Sequence, residues 1–179
     1  MSDIWFSADA HYGHRRMVEQ RGFESKEEMD AVLIERWNKT VKSGDTVYFL
    51  GDFSFRNKTE TEEVIDRLQG TTHFIRGNHD HVAAKLAHRF ASFQSYEEVK
   101  IGEQRLVLFH YPIASYNGVH KGSWHLHGHS HGSAPETDMA RLDVGVDTHD
   151  LYPWHLDEIS EILATRNGLP GDHHTHESD

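Results

Sequence analysis

The chain has 179 residues, of which 36% are hydrophobic and 26% are charged, so it is large enough for one globular domain with a core. It contains no cysteine, which excludes disulfides, thiolate zinc sites and cysteine nucleophiles. The net charge of −11 opposes general attraction to a nucleic-acid backbone, and no apolar stretch reaches the roughly 20 residues of a membrane span. With no signal-peptide pattern either, we expect a cytoplasmic protein that binds neither membranes nor, stably, nucleic acid.

Short apolar runs alternate with helical patterns in the first half of the chain. Apolar and β-branched runs predict three strands, at residues 3–8, 46–50 and 72–75. The first helix is expected to begin at Ser25 with Glu28 as its capping-box partner, and to end at Gly44. A second helix should end near Gly70, and a third is expected around residues 80–90.

The second half of the chain is richer in strand signals. Gly102 and Glu103 separate two apolar runs, which predicts a β-hairpin. Two short strands are expected at residues 124–127 and 142–146. Residues 156–164 carry an apolar face with helical spacing, which predicts the last helix.

The order of these elements predicts the fold class. A β-α-β-α start implies a parallel sheet, whereas the later hairpin implies a second sheet with antiparallel pairs. We therefore predict an α/β fold in which two packed mixed β-sheets are flanked by helices, an αββα sandwich. Residues 1–168 should form a single domain, and residues 169–179 a polar, histidine-rich tail that is disordered.

Residues of metal-binding types follow five of the predicted strands. They are Asp9 and His11, then Asp52, then Asn78 with His79 and Asp80, then His110, and last His129 with His131. In open α/β sheets, sites form at the carboxyl ends of strands, so we expect these side chains to converge. Two carboxylates, one amide oxygen and four imidazoles are too many for one tetrahedral zinc ion, and they suit two cations that share a carboxylate.

Five ordered motifs in this chain resemble those of the calcineurin-like metallophosphoesterases. They are Asp9-x-His11, Gly51-Asp52, Gly77-Asn78-His79-Asp80, His110 and Gly128-His129-x-His131. The glycines in these motifs are expected to permit sharp turns beneath a bound ion or phosphate. The later Asp143-Val-Gly-Val-Asp147 resembles the ending of small bacterial and phage members of the family.

The resemblance implies a site with two divalent cations, manganese in the first place and iron, nickel, zinc or magnesium as alternatives. The first cation would be held by Asp9, His11, Asp52 and His131, and the second by Asp52 as a bridge with Asn78, His110 and His129. A hydroxide between the ions would attack phosphorus. His79 would be the general acid at the leaving oxygen, with Asp80 orienting it.

Substrate contacts are expected from Asn78, from His79 and from His14 near the mouth of the site. Residues 111–122 form a candidate substrate loop, since this segment is long, contains aromatic residues and lies between two strands that carry predicted ligands. Of the other histidines, His125 is assigned a surface or structural role, whereas for His127 both contact with the ligands and core packing remain open.

Several functions are compatible with this set of residues. A phosphodiesterase acting on small nucleotides, cyclic ones included, or on aryl diesters is favoured because the candidate acid His79 is intact. A phosphomonoesterase for nucleotides or phosphoproteins is the alternative, for which only Arg15 and Arg56 offer contacts to a phosphate dianion. A non-catalytic scaffold and a DNA exonuclease rank lower. The expected partner is thus a small phosphate ester, and the sequence indicates no oligomeric state.

Overall fold

The computed structural model of the chain describes residues 2–135 and 137–169, and its strands form two sheets. The first sheet contains β1 (Ile4–Ser7), β2 (Thr46–Phe49), β3 (Thr71–Ile75), β4 (Ser92–Gln94) and β9 (Trp154–His155), in the order β4-β3-β2-β1-β9. The second contains β5 (Tyr96–Ile101), β6 (Gln104–Phe109), β7 (Trp124–His127) and β8 (Arg141–Asp143), in the order β5-β6-β7-β8.

Both sheets mix parallel and antiparallel pairs. Strands β1 to β4 are parallel and β9 is antiparallel to β1, whereas β5 and β6 form an antiparallel hairpin followed by parallel pairs β6-β7 and β7-β8. The predicted α/β fold of two packed mixed sheets with flanking helices is confirmed, including the hairpin at Gly102. The edge strands β4 and β9 were not predicted, because three and two residues are too few to show a period.

Within residues 2–135 and 137–169, five α-helices connect and flank these strands. They are α1 (Arg15–Gln20), α2 (Lys26–Thr40), α3 (Lys58–Arg67), α4 (His81–Lys85) and α5 (Leu156–Leu163). The side chain of Ser25 caps α2 by accepting a bond from the Glu28 amide, but the Glu28 carboxylate accepts from the Glu24 amide, so the predicted capping box is only half formed.

Three predicted element ends were wrong. Helix α2 ends at Thr40 rather than Gly44, because Val41 is extended and buries its side chain in the core. Strand β8 ends at Asp143 rather than residue 146, because the Asp143 carboxylate accepts a bond from the Gly145 amide and turns the chain. The helix expected at residues 80–90 divides into α4 and a 3-10 turn, Ala87–Arg89.

The core lies on both faces of the first sheet, and strand periodicity explains how. In β2, Val47 and Phe49 face the helices and pack with Met29, Leu33 and Trp37. Leu50, one position past Phe49, packs on the opposite side in the core that both sheets share. That second core also contains Phe6 and Ile75 from the first sheet, and Leu106, Leu108 and Leu126 from the second.

None of the helices in the described ranges has the length and apolarity that crossing a bilayer requires. Within the histidine-rich tail predicted at 169–179, residues 170–179 lie outside the described residues. The assignment of residues 1–168 to a single domain stays a prediction.

Candidate metal centre

The loops that follow β1, β2 and β3 are hydrogen-bonded to one another at one edge of the first sheet. The amides of Asp9 and His11 donate to the carbonyls of Gly51 and Asp52, at 2.9 and 3.0 Å. Asp80 completes the fastening, because its carboxylate accepts bonds from the amides of Asp52, Phe53 and Gly77 at 2.7 to 2.8 Å.

The predicted role of Asp80 in orienting His79 is therefore wrong. Both carboxylate oxygens of Asp80 are engaged by backbone amides of the loops after β2 and β3, and the side chain is 1% exposed. The Asp80 carboxylate cannot turn toward the His79 ring without breaking these bonds, and each broken bond would leave a buried amide without an acceptor. Asp80 instead fixes the distance between the loops that carry Asp52 and Asn78.

The first group of metal-type side chains comprises Asp9, His11 and His131, whose ligand atoms all lie within 4.8 Å of one another. The Nε2 atoms of His11 and His131 are 3.2 Å apart, and Nε2 of His11 is 3.8 Å from Oδ1 of Asp9. Asp9 and His11 are buried, and His131 is half-buried. Residues that are 120 positions apart in the chain thus meet at one point.

The second group comprises Asp52, His110 and His129, again within 4.8 Å of one another. Nε2 of His110 lies 3.5 Å from Oδ2 of Asp52. The amide oxygen of Asn78 joins this group, at 3.0 Å from Nε2 of His110 and 3.1 Å from Nδ1 of His129. Oδ2 of Asp52 is also 3.9 Å from Nε2 of His11, so this carboxylate lies between the two groups.

In two of the imidazoles, the nitrogen that faces away from the ligand group makes a hydrogen bond that fixes the orientation of the ring. Nδ1 of His110 is 2.6 Å from the carbonyl oxygen of Leu50, and a carbonyl only accepts, so in the neutral ring this nitrogen carries the proton and Nε2 has the free lone pair. Nδ1 of His131 is 2.6 Å from Oδ2 of Asp147, with the same consequence. Arg21 in turn donates to both oxygens of Asp147, at 2.7 and 2.8 Å.

Asp147 and Arg21 lie behind a predicted ligand, and the sequence analysis did not assign either of them to the site. The signal for Asp147 was present in Asp143-Val-Gly-Val-Asp147, but its position after the last predicted strand gave no partner. Burial alone would raise the pKa of the Asp147 carboxyl, but the bonds from Arg21 and His131 hold it well below its usual range. Asp147 is therefore an anion that supports the His131 ring.

Five of the predicted ligands have a left-handed backbone. Seven non-glycine residues in the described part of the chain have positive φ, and Asp9, His11, Asp52, His129 and His131 are among them, with φ between 47° and 67°. This conformation is unfavourable for residues with a Cβ and persists where the surrounding contacts enforce it. The strand ends are therefore bent so that consecutive motif residues present side chains to one point.

The glycines of the motifs leave room for the ligands themselves. A Cβ on Gly77 would lie 2.3 Å from Oδ1 of Asp52, and one on Gly128 would lie 2.5 Å from Oδ2 of Asp9. Gly51 has φ of +93°, and a Cβ there would also meet Nδ1 of His110 at 2.7 Å. The expected turn requirement thus applies at Gly51, whereas Gly77 and Gly128 are needed for close approach.

The donor set fits two first-row cations. Ligand atoms about 2.1 Å from one such ion lie about 3.0 to 3.4 Å from each other, and the closest pairs here are 3.0 to 3.5 Å apart. Burial raises the pKa of Asp9 to about 7, so this carboxylate needs a cation beside it to be fully ionised at neutral pH. Burial also lowers the pKa of His11, which keeps its ring neutral and able to bind a metal.

The predicted acid His79 stands at the rim of the centre. Its backbone amide donates to Oδ1 of Asp52 at 2.8 Å, and its exposed ring lies 6.0 Å from the ring of His11. His14 is on the same side, with its ring centroid 5.6 Å from that of His11. Tyr111, the first residue of the candidate substrate loop, is on the opposite side, 4.7 Å from the ring of His129.

The other histidines next to the motifs have structural positions. His125 is fully buried, and its Nδ1 lies 3.0 Å from the carbonyl oxygen of Val107. His127 is 2% exposed, and its Nδ1 lies 2.9 Å from the carbonyl oxygen of Gly128.

Arg56, a predicted contact for a phosphate dianion, is bound by Glu27 and Asp30, and so lies within a cluster of carboxylates rather than at the ligands.

Comparisons with known proteins agree with this architecture. The calcineurin-like phosphoesterase superfamily domain matches residues 4–146. This chain belongs to the calcineurin-like phosphoesterase superfamily. The uncharacterized protein MJ1445 of Methanocaldococcus jannaschii is 32% identical to this phosphoesterase, and the match covers 91% of the present chain and 92% of MJ1445. The Gene 66 protein of Mycobacterium phage D29 is 28% identical over 91% and 96% of the two chains.

A solved structure shares the fold of this phosphoesterase. The protein AQ665 from Aquifex aeolicus superposes with a TM-score of 0.73 and 22% identity, covering 90% of this chain and 100% of that one. The family is one of phosphoester hydrolases that are usually dinuclear-metal dependent, and the structure contains two candidate metal-binding groups of histidine and aspartate residues.

Proposed function

We propose that this phosphoesterase hydrolyses phosphodiesters of small nucleotides or aryl groups at a centre of two divalent cations. The observation that carries the proposal is the position of Asp52 between two ligand groups, with the His79 amide bonded to the same carboxylate at 2.8 Å. The proposal is also supported by the His79 ring, whose centroid lies 6.0 Å from that of the predicted ligand His11.

The side chains have separate tasks in the proposed reaction. The cations, when bound, neutralise the phosphate oxygens and make a water molecule nucleophilic near neutral pH. Asp9, Asp52, Asn78 and the four ligand histidines hold the pair of cations. His79 donates a proton to the leaving oxygen, which an alkoxide needs in order to depart near neutral pH.

The charges around the centre support a diester rather than a monoester. A monoester dianion is usually matched by an arginine fork. Arg56 is occupied by Glu27 and Asp30, and Arg21 is occupied by Asp147 and two backbone carbonyls. Arg15 is 87% exposed and lines a surface beside the ligand groups together with Glu19, so it does not form a fork at the ligands themselves. A diester carries one negative charge fewer, and so places less demand on such a fork.

Manganese is the cation we propose, with iron, nickel, zinc and magnesium as alternatives, because mixed carboxylate, amide and imidazole ligands accept several first-row ions. A cytosolic location stays a prediction that rests on the cysteine-free composition.

A substrate panel tests the proposal. Bis(p-nitrophenyl) phosphate, p-nitrophenyl phosphate and cyclic nucleotides would be assayed with manganese, nickel, magnesium and zinc. We expect the bis-aryl ester to be hydrolysed faster than the mono-aryl ester, and Asp52→Asn to abolish both reactions. Faster monoester hydrolysis would instead identify a phosphomonoesterase. No hydrolysis of any ester by protein shown to contain two metal ions would refute the proposal.

A further inference from the structure

A groove opens beside the first ligand group, on the His79 side of the centre. It has a volume of about 620 Å³ and is lined by His14, Arg15, Arg16, Glu19, Lys26 and Phe55. Most of these residues belong to α1 and to the start of α2, and none is among the seven ligands. The groove is therefore a separate surface that adjoins the metal centre.

Phe55 gives the groove an exposed aromatic floor. Its side chain is 41% exposed, although its backbone amide is anchored to the carbonyl of Tyr12 at 2.8 Å. Its ring centroid lies 4.0 Å from that of His14 and 5.0 Å from that of His79. The ring of His11 is also near, with its centroid 5.5 Å from that of Phe55. Phe55 is thus a partly exposed ring that packs against three imidazoles and leaves part of its surface open to a ligand.

Positive charge surrounds this ring. The groove has three cationic side chains, Arg15, Arg16 and Lys26, and one carboxylate, Glu19, so its net charge is +2 in a chain whose net charge is −11. Glu19 is 3.7 Å from Arg15, and this exposed pair is weak. Within the described part of the chain, Arg16 and Lys26 have no ion-pair partner. These two side chains are thus free of carboxylates in that part of the protein and able to pair with an anionic ligand.

His14 adds a directed hydrogen-bond donor at the boundary between groove and centre. Its Nδ1 accepts a bond from the Met17 amide at 3.3 Å, so in the neutral ring the proton is on Nε2. Among the described residues, Nε2 has no hydrogen-bond partner. A neutral His14 is therefore ready to donate to an oxygen of a substrate that extends from the metals into the groove.

We propose that this groove is the leaving-group subsite of the phosphoesterase, and that it takes a nucleoside with a further phosphate. The inference rests on the proposed function, because it uses His79 as the acid: the leaving oxygen must be near His79, and His79 packs on Phe55. The base would stack on Phe55, and the further phosphate would meet Arg16 and Lys26. The substrate is accordingly a linear nucleotide diester rather than a cyclic one.

In this reaction the oxygen of water forms the new bond to phosphorus while the bond from phosphorus to the nucleoside oxygen breaks. The nucleoside oxygen takes a proton and leaves as an alcohol. A diester with two different alcohols can in principle lose either of them, and the groove decides which. The choice of leaving alcohol is thus a direct report on the subsite.

The methyl ester of adenosine 5′-phosphate provides the test, because methanol and adenosine have similar acidity. We expect the wild type with manganese to release adenosine about ten times as often as methanol, since stacking of one base on an aromatic side chain has about this effect. Phe55→Leu should bring the ratio close to one, whereas Phe55→Tyr should restore it. Tyr96→Leu is the matched control, since Tyr96 is also exposed but lies on β5.

The charge of the groove is tested by adding a 3′-phosphate to the same ester. We expect KM to fall about fivefold in the wild type and this gain to be lost in Lys26→Gln or Arg16→Gln. Lys39→Gln is the control, because Lys39 is an exposed lysine at the other end of the same helix, α2. Release of mainly methanol by the wild type would overturn the proposal. So would Phe55→Leu with an unchanged ratio of adenosine to methanol, together with Lys26→Gln and Arg16→Gln in which the 3′-phosphate still lowers KM as in the wild type.

Direct binding separates this inference from the proposed function. Adenosine 3′,5′-bisphosphate would be titrated into the full chain by calorimetry, and Phe55→Leu and Lys26→Gln should each weaken binding at least fivefold relative to Tyr96→Leu and Lys39→Gln. If metal-loaded protein hydrolyses no ester but this binding pattern holds, the proposed function fails and the subsite stands. If diesters are hydrolysed and the pattern is missing, the subsite fails alone.

Discussion

The carboxylate of Asp147 lies 2.6 Å from Nδ1 of His131, and this bond fixes the ring whose other nitrogen belongs to the first ligand group. A carboxylate in this position raises the basicity of the imidazole and holds its orientation. Arg21 secures Asp147 through two bonds, so that the support reaches from α1's C-terminal end to the ligand. The contact is one that no local sequence pattern reveals.

Replacing Asp147 by Asn should weaken metal binding by about 10- to 100-fold, because the neutral amide no longer supports the His131 ring as an anion does. The dissociation constant for manganese, measured by calorimetry, checks this expectation. Asp150→Asn is a suitable control, since Asp150 is exposed and pairs with Arg36. Equal affinities in the two variants would mean that the Asp147 bond has no influence on the site.

Gly77→Ala should disrupt the centre although the backbone of Gly77 tolerates a side chain. The added methyl group would lie 2.3 Å from Oδ1 of Asp52, and relieving this overlap must displace the carboxylate between the two groups. We expect a loss of about 1–3 kcal/mol in stability and loss of the second equivalent of metal. Gly44→Ala, where the Cβ would meet nothing within 4 Å, should retain full metal content by elemental analysis.

His79→Ala should slow hydrolysis of alkyl diesters by about 10²- to 10⁴-fold and of nitrophenyl diesters far less, because nitrophenolate leaves without protonation. The ratio of kcat values for the two ester classes in wild type and variant is the relevant measurement. Equal losses for both classes would exclude a role as general acid and would leave His79 as a contact for the phosphate.

Removal of metal should destabilise the protein. At a concentration 100 times the dissociation constant, a bound ion contributes about 2.7 kcal/mol to stability. For a chain of 179 residues this corresponds to a decrease in Tm of about 5–10 °C on chelation. Thermal unfolding with and without EDTA measures the shift. The shift should shrink strongly in Asp52→Asn, and an unchanged Tm in the wild type would contradict metal binding at the buried carboxylates.

His125 should make the free energy of unfolding fall as the pH is lowered from 6.5 to about 4. Burial lowers the pKa of His125 from 6.5 to about 4, so the unfolded chain binds a proton that the folded chain refuses. Its contribution is complete above pH 6.5 and is lost as the pH falls toward 4, by about 3 kcal/mol in total. His125→Gln should flatten this part of the stability curve in urea titrations, compared with the exposed control His88→Gln. Parallel curves for the wild type and His125→Gln would show that the ring is not kept neutral.

The regular elements were predictable because their signals are local. The strand and hairpin patterns, the cap at Ser25 and the apolar face of α5 depend on neighbours within a few residues. The edge strands β4 and β9 and helix α1 escaped prediction because they are short and are held by their neighbours in space. The same limit applies to Asp80, whose carboxylate was expected to serve the adjacent His79 and instead fastens two loops.

The sequence by itself determined the fold class and the residue types that meet at the strand ends, because alternation, turn chemistry and motif order are properties of the chain as written. Only the tertiary structure decided which ring nitrogen of His110 and His131 faces the ligand groups, and how Asp147 and Arg21 support His131. It alone also showed that Phe55 and the cations of α1 form a groove beside His79. These relationships depend on atoms within about 3 to 5 Å that are up to 126 residues apart, and hydrogen bonds and ring contacts are set by that distance in space rather than along the chain.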